Sequence, residues 1–127
     1  MTEHGFLWWR RAHFLSTVLV CLLATVHSGL TWVVYEAWTP DAVWFLGTGL
    51  GLLLLGILNI THLGIEPCRR PTARLVRTAN WVFAGFGLGA VMAVPEPQAY
   101  AVLLGLAGQA FAGLRTLPGP AHGDTTD

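Results

Sequence analysis

The chain has 127 residues, enough for one compact unit, of which 54% are hydrophobic and only 11% charged. A water-soluble domain carries about 25% charged residues, so this composition excludes a well-solvated globular surface and points to lipid as the solvent. The formal net charge is zero and the 7 basic residues are all arginines, which excludes a polybasic tail or a nucleic-acid face.

Four apolar stretches follow one another along the chain. The first runs from about residue 12 to 35, preceded by Arg10 and Arg11 and flanked by Trp8 and Trp9. Its apolar run exceeds the roughly 7–15 residues of a signal-peptide core, and no A-x-A site follows it, so it is expected to remain in the protein. The second stretch, about 41 to 62, is opened by Thr39-Pro40-Asp41. That sequence offers an N-cap, a proline for the first helical position and an acid near the positive helix end. A loop bracketed by Pro67 and Pro71, and holding Glu66, Cys68, Arg69 and Arg70, leads to the third stretch at about 74 to 94. Pro95-Glu96-Pro97 cannot continue a helix and reads as a tight turn into the fourth, about 97 to 114. Each stretch is close to the roughly 20 residues that cross a hydrocarbon core; the fourth is the shortest and contains Gln109. The expected fold is an all-α integral membrane bundle of four transmembrane helices within residues 1–117, followed by a polar, disordered cytoplasmic tail over 118–127.

Charge sets the expected orientation. Four crossings put Arg10, Arg11, Arg69, Arg70, Arg74, Arg77 and Arg115 on one side, and Glu36, Asp41 and Glu96 on the other. The positive-inside rule makes the arginine side, with both termini, cytoplasmic. Trp38 and Trp44 also sit near helix ends, as interfacial anchors do. The arginine usage and the abundance of Ala, Gly, Leu and Val suggest a GC-rich bacterial source, hence a multi-pass protein of the bacterial cytoplasmic (inner) membrane. Cys21 and Cys68 form no CxxC and read as free structural thiols.

The polar residues inside the apolar stretches are the candidates for chemistry. In the first stretch His13, Thr17, Cys21, Ala24, His27, Ser28, Thr31 and Tyr35 recur every three to four residues and share one helix face. That face is expected to point inward, because polar groups facing lipid are costly. His27 is expected to bond Thr31 or Thr48, or else to handle a proton. Asn59, His62, Asn80 and Gln109 sit at similar depth in the second, third and fourth helices. The plainer expectation is that they fasten helices together; the sharper one is a polar pocket opening to the cytoplasm, with Arg77 at its mouth. Thr61 and Thr78 are placed to join them from the helix ends. Gly47 and Gly51 form one GxxxG and Gly85 and Gly89 another, while Gly105 and Gly108 line the fourth helix; all are expected to pack helices, within the bundle or between copies.

Fourteen residues separate His13 from His27, about 21 Å along a helix and within about 40° in rotation. This spacing is similar to that with which membrane b-type cytochromes hold two haems. Those proteins bring a matching histidine pair on a partner helix, whereas here only His62 can face His13. In size and number of crossings the chain resembles the small multidrug resistance transporters, which would imply proton-coupled export. Members of that family carry a glutamate in the first helix; this helix has none, and His27 would take its place.

No acid is expected within the membrane interior to hold metal–phosphate chemistry, so an enzyme is not expected. No cofactor or metal site is expected either, the alternatives being a haem, or a metal ion, held between His13 and His62. The leading expectation is an assembly or interaction subunit, packed in the lipid bilayer against other membrane subunits or against itself. The alternatives are a proton-coupled transporter using His27 and a haem or redox protein using His13, His27 and His62.

Overall fold

The computed structural model describes residues 3–64 and 70–116. Four helices account for nearly all of them: α1 (Glu3–Val34), α2 (Pro40–Gly64), α3 (Arg70–Ala93) and α4 (Pro97–Thr116). Three are long and apolar enough to cross a membrane, over His4–Val34, Pro40–Gly64 and Pro71–Ala93. α4 is not among them; Gln98, Gln109 and Arg115 dilute the hydropathy of its 20 residues.

The helix ends follow local chemistry. Thr39 caps α2: its hydroxyl accepts from the Ala42 amide at 3.3 Å and its carbonyl from Val43 at 3.1 Å. Glu96 does the same for α4 with its carbonyl, which accepts from Ala99 at 2.9 Å. Both helices begin with a proline, whose missing N–H would have no partner there in any case.

Two helices start earlier than their apolar runs. α1 begins at Glu3 rather than near residue 12, because no proline interrupts the segment that carries Trp8 to Arg11. Its 32 residues extend about 48 Å, well beyond a hydrocarbon core of about 30 Å. α3 begins at Arg70 because Pro71 is tolerated in a first turn.

α1 packs along both α2 and α4, and α3 along α4, while α2 and α3 form the sparsest of the contacting pairs. The shared core comprises Val20 and Ala24, Leu52 and Leu55, Ala84, and Leu106 and Ala110. Glycines let α1 come close on both sides. A Cβ on Gly105 would stand 2.8 Å from Val20 Cγ2, and one on Gly108 2.9 Å from Ser16 Cβ. On the α2 side, a Cβ on Gly49 would strike the Ser28 hydroxyl and one on Gly56 the Cys21 thiol.

The two expected GxxxG pairs lie elsewhere. Nothing stands within 4 Å of a Cβ at Gly47, Gly85 or Gly89, and Gly51 meets only the Phe83 ring at 3.7 Å. The close-packing glycines of α2 are Gly49 and Gly56, seven residues apart on the face that also buries Ala42 and Asn59. A short motif marks a helix that permits close approach; the neighbouring residues decide which face is used.

The distribution of polarity is that of a protein solvated by lipid. His13, Thr17, Thr31, Asn59, His62, Asn80 and Gln109 are buried, whereas Leu15, Leu22, Trp32, Leu54, Met92 and Leu104 are exposed.

Candidate functional site

Antiparallel packing gathers the described arginines at one end of the bundle. Arg10 and Arg11 lie in the early turns of α1, Arg74 and Arg77 in those of α3, and Arg115 in the last turn of α4. The Arg115 guanidinium sits over the Trp9 ring at 5.9 Å, and Arg10 donates to the Leu63 carbonyl at 2.9 Å. Arg70 opens α3. Arg69, Glu66, Cys68 and the tail from Pro118 lie outside the described residues.

Just inside this end, one side chain from each helix enters a single buried network. His13 of α1 places Nε2 at 2.7 Å from Asn59 Oδ1 of α2 and Nδ1 at 2.8 Å from Thr116 Oγ1 of α4. Asn59 and Asn80 of α3 form a reciprocal amide pair, each Nδ2 donating to the other's Oδ1 at 2.8 and 2.9 Å. The second proton of Asn59 Nδ2 goes to the Leu55 carbonyl at 2.9 Å. His13, Asn59 and Asn80 are at most 1% exposed.

The network assigns its own protons. The Leu55 carbonyl can only accept, so it fixes which end of the Asn59 amide is nitrogen. Asn59 Oδ1 must therefore accept, and His13 Nε2 must carry a proton. Nδ1 then takes the Thr116 hydroxyl proton in the neutral ring, or donates to Thr116 Oγ1 in the cation. In the second case the hydroxyl turns to the Ala112 carbonyl, 3.1 Å away. One hydroxyl rotation accommodates either state, with no heavy atom displaced.

The other expected members fall around this belt. His62 is buried in the last turn of α2. Gln109 is fully buried, yet neither amide atom has a hydrogen-bond partner. Thr61 bonds back to Ile57 of its own helix, and Thr78 is exposed, so neither joins. Thr17 and Ser16 both donate to the His13 carbonyl, at 2.8 and 2.9 Å.

Thr116 is the member that the apolar pattern missed. It lies past the end of the fourth apolar stretch, and its one signal is that it sits seven residues after Gln109, on the same helix face.

His27 belongs to a different region, near the acidic end. Its Nε2–H donates to the Phe45 carbonyl at 3.1 Å and its ring stacks on Phe45 with centroids 3.7 Å apart. The expected partners do not reach it: Thr48 donates to the Trp44 carbonyl of its own helix, and Thr31 Oγ1 is buried without a hydrogen-bond partner.

Among the described residues no group of three or more His, Cys, Asp or Glu is placed to hold a metal ion. A haem iron at His13 would have to displace either Asn59 or Thr116 from the ring. No protein-family model, curated protein or solved structure matches this chain.

Proposed function

We propose that this protein is a four-span membrane subunit that works by helix packing, its own bundle locked from within and its outer α3 face docking another transmembrane helix. In this reading the arginine end is cytoplasmic, following the positive-inside rule, and the membrane is the bacterial inner membrane. The observation that carries the reading is the pair Gly85 and Gly89. They lie on exposed positions of an apolar helix, one turn apart, with open space where each Cβ would stand. Glycine lowers helix propensity by about 1 kcal/mol and offers lipid nothing to pack against. At a helix–helix contact the same pair permits close backbone approach. The simplest partner is a second copy of this chain.

The internal polar groups support the same reading by being occupied. His13 and Asn59 bond within the protein, and His27 is tied to Phe45, so each is engaged in holding helices together. The test is the molar mass of the detergent-solubilised protein by light scattering, alongside a Gly85→Leu/Gly89→Leu double variant. The reading expects an oligomer that the variant reduces to monomer while helicity and melting temperature hold. A wild-type monomer with no crosslinked partner in intact membranes, or an oligomer indifferent to both leucines, would sink it. Alkaline phosphatase fusions after Trp38 and after Thr116 test the orientation separately: activity is expected only from the first.

A further inference from the structure

We infer that the groove between α1 and α2 at the arginine end is a binding site for an anionic glycerophospholipid of the surrounding leaflet. The inference rests on α1 and α2 lying in a membrane. The groove encloses about 650 Å³. Leu7, Phe14 and Leu15 of α1 and Ile60 of α2 wall it, and Arg10 and Arg11 stand within it. Among the described residues no acidic side chain lines it.

The arrangement follows from helical spacing. Leu7, Arg11 and Leu15 are successive i, i+4 neighbours, and Phe14 follows Arg10 by four, so the guanidiniums interrupt one continuous apolar face. Phe14, Leu15 and Ile60 are 49%, 66% and 41% exposed, an apolar strip leading from the arginines toward the middle of the bundle.

Arg10 is held in place. Its bond to Leu63 uses a carbonyl in the last turn of α2, one of the acceptors that a helix end leaves without an intrahelical partner. The guanidinium thus lies along the groove instead of extending into water. Arg11 is exposed beside it.

Two guanidiniums lining one groove match a phosphodiester, whose oxygens accept N–H donors. The strip beyond them matches an acyl chain. A free phosphate would use only the arginines, and a neutral lipid only the strip. An anionic phospholipid uses both.

The experiment is native mass spectrometry of the full chain in a non-ionic detergent, titrated with palmitoyl-oleoyl phosphatidylglycerol or with its phosphatidylcholine counterpart. The site predicts preferential retention of phosphatidylglycerol, weakened about tenfold by Arg10→Gln/Arg11→Gln. An Arg74→Gln/Arg115→Gln control removes the same charge from the same end and is expected to retain the preference.

Losing Arg10 also removes the bond to Leu63, so two further variants guard against misfolding. Arg11→Gln keeps that bond and is expected to weaken retention by itself. Ile60→Trp keeps both arginines, fills the strip, and is expected to reduce retention as well. Equal retention of the two lipids, or equal loss in the control pair, overturns the site. The membrane reading is checked apart from it, by resistance of the wild-type chain to carbonate extraction.

Discussion

The two ends of the bundle are held by different means. At the acidic end, covalent turns do the work: α1 passes to α2 between Val34 and Pro40, and α3 to α4 between Ala93 and Pro97. One polar side-chain bond, His27 to the Phe45 carbonyl, crosses between helices there, and the Ser28 and Thr31 hydroxyls are buried without hydrogen-bond partners. At the arginine end no turn joins α1 to α4. There the His13–Thr116 bond links those two helices directly, and the Asn59–Asn80 pair ties α2 to α3, the adjacent helices with the sparsest packing. The first bond stands where chain connectivity is missing, the second where two connected helices pack sparsely. Such bonds between membrane helices are worth about 0.6–2 kcal/mol each, enough to matter where apolar packing alone gives no preference over lipid.

Substitutions can break this contrast, and the largest effect is expected at Asn59. Asn59→Leu strands the His13 Nε2 proton and the Asn80 amide together, for a loss of about 3 kcal/mol in unfolding by detergent titration. A loss no greater than that of a surface leucine would mean that the belt does not hold the bundle.

Gly105→Leu comes next, at about 1–3 kcal/mol, because its first atom already meets Val20 Cγ2 at 2.8 Å. Gly85→Leu is expected to leave stability unchanged or slightly raised, since its Cβ meets nothing. Equal effects at the two glycines would erase the distinction between inner and outer faces.

Thr116→Val removes one bond to His13 and is expected to cost about 1 kcal/mol. At the opposite end, His27→Phe keeps the stacking on Phe45 and loses one half-buried bond, so thermal melting should register less than Thr116→Val does. The reverse order would move the structural weight to the acidic end.

The smallest effect, and one of opposite sign, is expected at Gln109. Its buried amide has no hydrogen-bond partner, so Gln109→Leu should be neutral or stabilising in the same melting assay. Clear destabilisation would show that Gln109 makes an interaction of its own, and would place it within the belt.

Much of the belt was legible from pattern. Polar residues spaced three to four apart in the first apolar stretch mark its inward face, and His13 and Thr17 are buried as that spacing requires. Depth counting from the helix ends grouped Asn59, His62, Asn80 and Gln109; the structure bonds Asn59 to Asn80 and leaves the Gln109 amide without a hydrogen-bond partner. The same reasoning could not choose between neighbours at one level. His27 meets Phe45, while Thr48 turns back to its own helix, as threonines commonly do. Thr116 was hidden because hydropathy ends a helix where the apolar run stops, while the backbone continues until its last hydrogen bonds are made.

By itself the sequence determined the helical class, the four helices with their turns, and the shared end of the described arginines; of the four expected spans, three are long and apolar enough to cross a membrane. Each of these depends on the order of residue types along a short segment, through helix capping, proline geometry and transfer to lipid. Only the tertiary structure decided which glycines close-pack, which face of α3 is left open and which partner each buried polar atom finds. Those outcomes depend on the rotation of each helix about its own axis, which is set by contacts with all its neighbours at once and is written in no single helix.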